Sequence, residues 1–176
     1  MVEFNSIAAG IDAADQMVKT AQVEPLFFKT ICPGKFVAAV TGDVAAVSAS
    51  VNAGRETHDD ALVDWFIIPN IHRDVIGALA GATGITERGA LGIIETFSAA
   101  SIVVASDAAV KAADVQLLDV RVALGLGGKG YALMTGDVAA VNAAVEAGST
   151  AAAESGLLVS KVVIPSPAET VFEQIA

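Results

Sequence analysis

Thr41-Gly-Asp-Val-Ala-Ala-Val47 recurs letter for letter as Thr135-Gly-Asp-Val-Ala-Ala-Val141 in one chain of 176 residues. Such self-similarity marks a duplication. The flanks extend the match. Upstream, Val2-Glu3 aligns with Ile94-Glu95 and residues 15–19 with 107–111, at an offset of 92 instead of 94. Downstream, Ile68-Pro69 aligns with Ile164-Pro165 at an offset of 96. Loop insertions leave this kind of drift. The copies cover nearly the whole chain and meet near Gly84 to Gly89, so two domains are expected, 1–84 and 89–176. Copy one has no counterpart of Ala90-Leu91-Gly92-Ile93, and its first strand is expected to be short, through either a trimmed or an altered N-terminus.

Each copy reads the same way. A short strand ends at Glu3 or Glu95. A helix is expected over 6–21 or 98–113, where serine can cap the first turn by accepting from its free N–H groups. A strand follows (23–29; 115–123), then a glycine turn, then another strand (35–41; 129–135). Asp43 and Asp137 are candidate N-caps of a second helix. Val44, Val47 and Val51, and likewise Val138, Val141 and Val145, recur at helical spacing. A fourth strand (62–68; 158–164) ends at proline, and a short helix closes the copy. In copy two, Ser166-Pro167-Ala168-Glu169 reads as a capping box with proline at the first helical position. The alternation strand-helix-strand-strand-helix-strand defines an α+β class: two tandem ferredoxin-like domains with antiparallel sheets and flanking helices.

Composition limits the partners. The formal net charge is −10 and the sequence pI about 4.4, against nucleic acid or an anionic membrane, both of which need a concentrated basic patch. The chain is 54% hydrophobic, with a mean hydropathy of +0.63. A membrane span needs ~20 predominantly apolar residues. The best stretch, 90–110, is interrupted by Glu95 and Asp107. No basic region opens a secretory signal. A single cysteine allows no internal disulfide and fits a reducing compartment, the cytosol.

That cysteine lies in Thr30-Ile-Cys-Pro-Gly-Lys-Phe36, between two expected strands. Pro33 presets φ and Gly34 tolerates unusual backbone, so Cys32 belongs on a tight turn. The matching place in copy two is Leu126, inside Gly125-Leu-Gly-Gly-Lys-Gly130. This run fits a dinucleotide glycine pattern, but a strand follows it, and the helix N-terminus that would hold pyrophosphate is missing. Lys129 precedes glycine, so it is no P-loop. Lys35 and Lys129 either tune the turn electrostatically or simply begin exposed strands. Glu56-Thr-His-Asp-Asp60 groups acids with His58, yet consecutive helix positions diverge, and a solvated face is expected. His72 is expected to be structural or edge-exposed. Trp65, opposite Lys161 in copy two, marks either core or a contact unique to copy one. No nucleophile–histidine–acid set stands out, so no enzyme is expected.

At these residues the chain resembles a known family. Val18-Lys-Thr-Ala-Gln-Val23, Val110-Lys-Ala-Ala-Asp-Val115, the two Gly-Asp-Val-Ala-Ala-Val helix starts and the Ile-Pro endings are similar to bacterial microcompartment shell domains. The tandem arrangement, with Thr-Ile-Cys-Pro-Gly-Lys-Phe in copy one and Gly-Leu-Gly-Gly-Lys in copy two, resembles the propanediol-utilisation type of tandem shell protein over essentially its full length.

The resemblance implies a structural protein of the microcompartment shell, located in the cytoplasm. It implies a homotrimer that mimics a hexamer and tiles with other shell proteins around enclosed redox enzymes. The turn between second and third strands would line a central pore: Ile31, Cys32, Pro33 and Gly34 from copy one, and Leu126, Gly127 and Gly128 from copy two. Lys19 and Lys111 would sit at the tile edge. Many shell domains carry arginine after Ile-Pro; here that place holds Asn70 and Ser166, and the histidine shortly after is kept as His72 but not at Ala168. By position, Cys32 of three chains would hold one 4Fe–4S cluster per trimer, for electron relay or for iron or cluster transfer. An iron–sulfur cluster of this kind usually takes four thiolates. Three would leave one iron open. The alternatives are a metal-free metabolite pore with Cys32 as a free thiol, and a small-molecule-binding or redox-sensing trimer outside any shell.

Overall fold

The computed structural model describes residues 1–84, 88–122 and 125–175. The chain divides into two compact units. The first contains Met1–Pro69, Ser98–Ala100 and residues 125–128; the second contains Asn70–Phe97, Ser101–Val122 and the chain from Lys129 onward.

In the first unit the order is β1 (Val2–Phe4), α1 (Ile7–Thr20), β2 (Glu24–Ile31), β3 (Lys35–Thr41), α2 (Val44–Thr57), a 3-10 turn (Asp59–Ala61) and β4 (Leu62–Trp65). The sheet order is β2-β3-β1-β4, every pair antiparallel. Ser6 caps α1 by accepting the Ala9 N–H at 3.3 Å. Asp43 caps α2, accepting from Ala45 at 2.9 Å. Ala9, Ala13 and Met17 recur at helical spacing and close over Val2, Phe4, Phe36 and Val51 to make the core.

The remaining elements are α3 (Arg73–Leu79), β5 (Ala90–Thr96), α4 (Ala99–Ala112), β6 (Gln116–Val122), β7 (Gly130–Gly136), α5 (Val138–Glu154), β8 (Leu158–Ile164) and α6 (Glu169–Ile175). Apart from the first residues of α4, they lie in the second unit. Its sheet runs β6-β7-β5-β8, the same topology as the first. Even the irregularities are duplicated. One register shift falls between Pro25 and Phe27 on β2 and between Leu117 and Asp119 on β6; another falls at Glu3/Phe4 and at Glu95/Thr96. Gly54 and Gly148 also match. A Cβ on Gly54 would stand 2.5 Å from Met17 Cγ, and one on Gly148 2.6 Å from the Ala105 carbonyl oxygen. Close approach of the neighbouring helix requires glycine at both places.

One core contact has exchanged its partners. In the first unit Gly10 of α1 lies under Phe36 of β3, where an added Cβ would be 2.5 Å from the Phe36 Cβ. In the second, the matched positions are Ile102 and Gly130, and a Cβ on Gly130 would be 2.5 Å from Ile102 Cγ2. The large residue sits on the strand in one copy and on the helix in the other, so each gap is filled once.

Two expectations change in detail. β4 ends at Trp65, short of residue 68, because β1 offers only three residues to pair with. β8, beside the seven-residue β5, extends to Ile164 as expected. α6 begins at Glu169, so Pro167 is not its first residue. Among the described residues no helix is long and apolar enough to cross a membrane.

Candidate functional site

β2 and β3 pair through Ile31↔Lys35, which leaves residues 32–34 as the turn. The Gly34 N–H donates to the Ile31 carbonyl at 3.1 Å, Gly34 has φ +91°, and the Cys32–Pro33 peptide is cis. Ile31 is buried, Cys32 half-buried, and Pro33 and Gly34 exposed. The thiol is free. Cys32 thus sits on the three-residue turn of the β2–β3 hairpin.

Residues 125–128, from the matching turn of copy two, belong to the same compact unit. Leu126 is half-buried, Gly127 exposed and Gly128 buried. A Cβ on Gly128 would come within 2.9 Å of Pro33 Cδ and 3.5 Å of the Cys32 carbonyl oxygen, at φ +90°. Only glycine allows this approach, so the two turns that sequence reasoning singled out lie side by side.

Lys35, just after the turn, is neither a solvent-exposed strand end nor an uncompensated charge. Its Nζ is 2.8 Å from Glu3 Oε1, and Glu3 is fully buried. The other oxygen, Glu3 Oε2, accepts the Ala100 N–H at 3.1 Å, at the start of α4. A carboxylate is tolerable there because a cation and a helix N-terminus both face it. Ser98 Oγ donates to Asp64 Oδ2 beside it. In copy two Lys129 pairs with Glu95 at 3.0 Å, with both side chains partly exposed. Sequence reasoning passed over Glu3. The signal available was a charged residue inside an apolar strand.

Lys111 Nζ donates to Asp107 at 2.5 Å and to the Asn70 carbonyl at 2.6 Å. The His72 N–H donates to Asp107 Oδ1 at 2.7 Å, while His72 Nδ1 caps α3 by accepting from Asp74. Lys19, the matched lysine, is exposed and pairs with Asp15 at 2.5 Å. His58 turns from its acidic neighbours to Asp12 of α1, at 2.8 Å. The Trp65 ring lies under the Arg55 guanidinium, 4.2 Å from the ring centroid. Lys161, at the matching place, instead pairs with Glu146. Among the described residues no three His, Cys, Asp or Glu side chains of the chain converge as metal ligands.

Two βαββαβ units with matched bulges and paired glycine turns define a tandem-duplicated α+β protein. The family model for the BMC domain matches residues 1–71 and again 90–167, and the chain belongs to that family. The bacterial microcompartment shell protein PduT of Citrobacter freundii is 46% identical over 175 residues, 99% of this chain and 95% of that protein. EutM of Salmonella typhimurium, another shell protein, is 51% identical over 78 residues, 44% of this chain and 79% of its own. The crystal structure of a microcompartments protein from Desulfitobacterium hafniense DCB superposes with a TM-score of 0.85 at 50% identity, covering 98% of this chain and 96% of that one. The chain is therefore a structural component of a bacterial microcompartment shell, built from tandem BMC domains, and not an enzyme.

Proposed function

We propose that three copies of this chain close into a ring of six BMC domains within the shell, with the Cys32 turns around its axis, and that the three thiolates hold one 4Fe–4S cluster. The observation that carries this reading is the placement of Cys32. It is a half-buried, free thiol at the tip of the β2–β3 hairpin, with the glycine turn of copy two packed beside it. One chain supplies a single thiolate, too few for a cluster that usually takes four. The donor set fits the group only where copies of the chain converge. Cys32 would ligate, Pro33 and Gly34 would hold the turn, and Gly128 would let Leu126 and its neighbours alternate with the sulfurs. When bound, a cluster there supplies a one-electron centre in the wall, with one iron open to an outside ligand. Its partners would be other shell proteins and enclosed redox enzymes. The rival reading is a metal-free pore lined by the same turns, favoured by the single ligand-type side chain that each chain brings.

The test is anaerobic purification with iron and sulfide analysis, absorption and EPR spectra, and a Cys32→Ser variant alongside. About one cluster per three chains, lost in the variant while the trimer persists, is expected. An intact trimer without iron after anaerobic reconstitution overturns the cluster and leaves the metabolite pore.

A further inference from the structure

Both copies carry a lysine–glutamate pair after the same turn, in different surroundings. Lys35 follows the cysteine turn, and Lys129 follows the matched leucine turn. The Lys35 side chain is 17% exposed and that of Glu3 is fully buried, whereas Lys129 and Glu95 are 41% and 34% exposed. A buried carboxylate is tolerated only where good partners are held against it. Beside Cys32 both of its oxygens are engaged: Glu3 Oε1 by Lys35 at 2.8 Å, and Oε2 by the Ala100 N–H at 3.1 Å. Lys35 pairs with Ile31 across the hairpin, so it is the residue that closes the cysteine turn. Glu3 therefore ties the base of that turn to the start of α4, which belongs to copy two.

The glycine turn of copy two meets the same turn a second time. Gly34 and Gly128 are matched and share a left-handed backbone, φ +91° and +90°. A Cβ on Gly34 would have nothing within 4 Å. One on Gly128 would stand 2.9 Å from Pro33 Cδ, 3.5 Å from the Cys32 carbonyl oxygen and 3.7 Å from Lys35 Cε. Cys32, Pro33 and Lys35 thus border a single glycine. Its neighbour Gly127 also has a positive φ, +62°, but open space around it. Residues 125–128, Ser98–Ala100 and the cysteine turn all belong to one compact unit.

We infer that copy two sets where the Cys32 thiol stands: Gly128 and the Glu3–Lys35 pair are positioning residues for it, acting through the backbone of residues 32–35. A thiol that must meet two others at a shared centre has to be placed by its backbone, since cysteine has one heavy-atom side-chain torsion with which to correct an error. Partners outside the ligand set hold metal ligands in place in the same way. The leucine turn brings no ligand-type side chain, and its lysine–glutamate pair stays partly exposed. The effect on a cluster rests on the reading proposed above; the effect on the turn that carries the thiol does not.

Two pairs of variants test this in the full chain. Gly128→Ala sets a methyl group against Pro33, while Gly127→Ala imposes a left-handed alanine without the contact. Lys35→Met opens the buried pair, while Lys129→Met opens the exposed one. A nitroxide attached at low occupancy to Cys32, the only cysteine, reports the turn in the metal-free chain through its EPR line shape. Circular dichroism and light scattering control fold and assembly. In Gly128→Ala and Lys35→Met the label's correlation time is expected to shorten ~3-fold, as a loosened loop allows, and in Gly127→Ala and Lys129→Met to stay at the wild-type value. After anaerobic reconstitution of unlabelled chains, the first member of each pair is expected to keep ~10-fold less iron against EDTA, the lower end of the ~10–100-fold loss when partners of metal ligands are changed. If Lys35→Met loses its dichroism, Glu3→Gln takes its place, with Glu95→Gln as control. Equal line shapes in the two glycine variants overturn the role of Gly128, and equal line shapes in the two lysine variants overturn that of the Glu3–Lys35 pair. Split line shapes in a protein that takes up no iron keep the positioning and overturn the cluster. Split line shapes with equal iron retention overturn the bearing of these residues on a cluster.

Discussion

Gly10→Ile puts a branched side chain where Phe36 already stands. Its Cβ would lie 2.5 Å from Phe36 Cβ, 2.6 Å from Cδ1 and 2.8 Å from Cγ. Both Cβ atoms are fixed to backbone, so no rotamer relieves the contact, and α1 or β3 must shift by roughly 1 Å to reach normal carbon–carbon separation. Overpacking usually costs ~1–3 kcal/mol, and this case belongs at the top, about 3 kcal/mol. Phe36→Gly empties part of the first core. Truncating a buried phenylalanine to alanine costs ~3–5 kcal/mol and glycine in a strand a further ~0.5–1 kcal/mol, so about 4 kcal/mol is expected. Simple addition makes the double variant worse by ~7 kcal/mol, comparable to the whole stability of many domains. The chain itself says otherwise, because Ile102 and Gly130 hold the same contact with the sizes reversed. We expect Gly10→Ile/Phe36→Gly to lie within ~1–2 kcal/mol of wild type. The coupling would be about 5 kcal/mol, above the ~0.5–3 kcal/mol usual for touching residues. Urea unfolding at one fixed protein concentration measures it through the midpoint at unchanged slope. A double variant as unstable as the sum of the singles would refute the argument, since the two contacts would then not be interchangeable.

The duplication supplies further matched pairs. Lys35→Met leaves the buried Glu3 carboxylate without its cation and should cost ~3 kcal/mol; Lys129→Met, beside the partly exposed Glu95, should cost below ~1 kcal/mol. Thermal unfolding of both variants at one fixed protein concentration reads the difference, and equal losses would contradict the burial argument. Asp43→Ala should cost ~1 kcal/mol, because its carboxylate caps α2; Asp137→Ala should cost clearly less, since Asp137 makes no side-chain cap bond to α5, and denaturant midpoints of the two variants decide this. Tyr131 is the only tyrosine, so its phenolate absorbance titrates without overlap. Burial first, then the Asp119 carboxylate that accepts its O–H at 3.1 Å, hold its pKa above the ordinary 10.0. The fold favours the neutral phenol. Its contribution to stability is complete below pH 10 and is lost as pH rises through the raised value. Asp119→Asn should lower the titration midpoint without returning it to 10.0, and an unchanged midpoint would remove Asp119 from the account.

Much of this is legible in the sequence alone. The heptapeptide at 41–47 and 135–141 announced the duplication, and valine spacing with Ser6 and Asp43 marked helix starts that the structure keeps. Pro33 and Gly34 placed Cys32 on a turn because proline and glycine constrain backbone locally. Periodicity reports that a face is buried, but not by what. Nothing local to Glu3 announced that Lys35 and the Ala100 N–H would make its burial tolerable. Nothing in Gly10 named Phe36. The assignment of residues 70–79 to the second compact unit, and of residues 125–128 to the first, depends on contacts between segments far apart in the chain. Local backbone preferences and apolar spacing were enough to set the elements, their order and the position of the turns. Which segment covers α4 and which glycine lies against Cys32 were decided by packing, since long-range burial selects among partners that the local pattern treats alike.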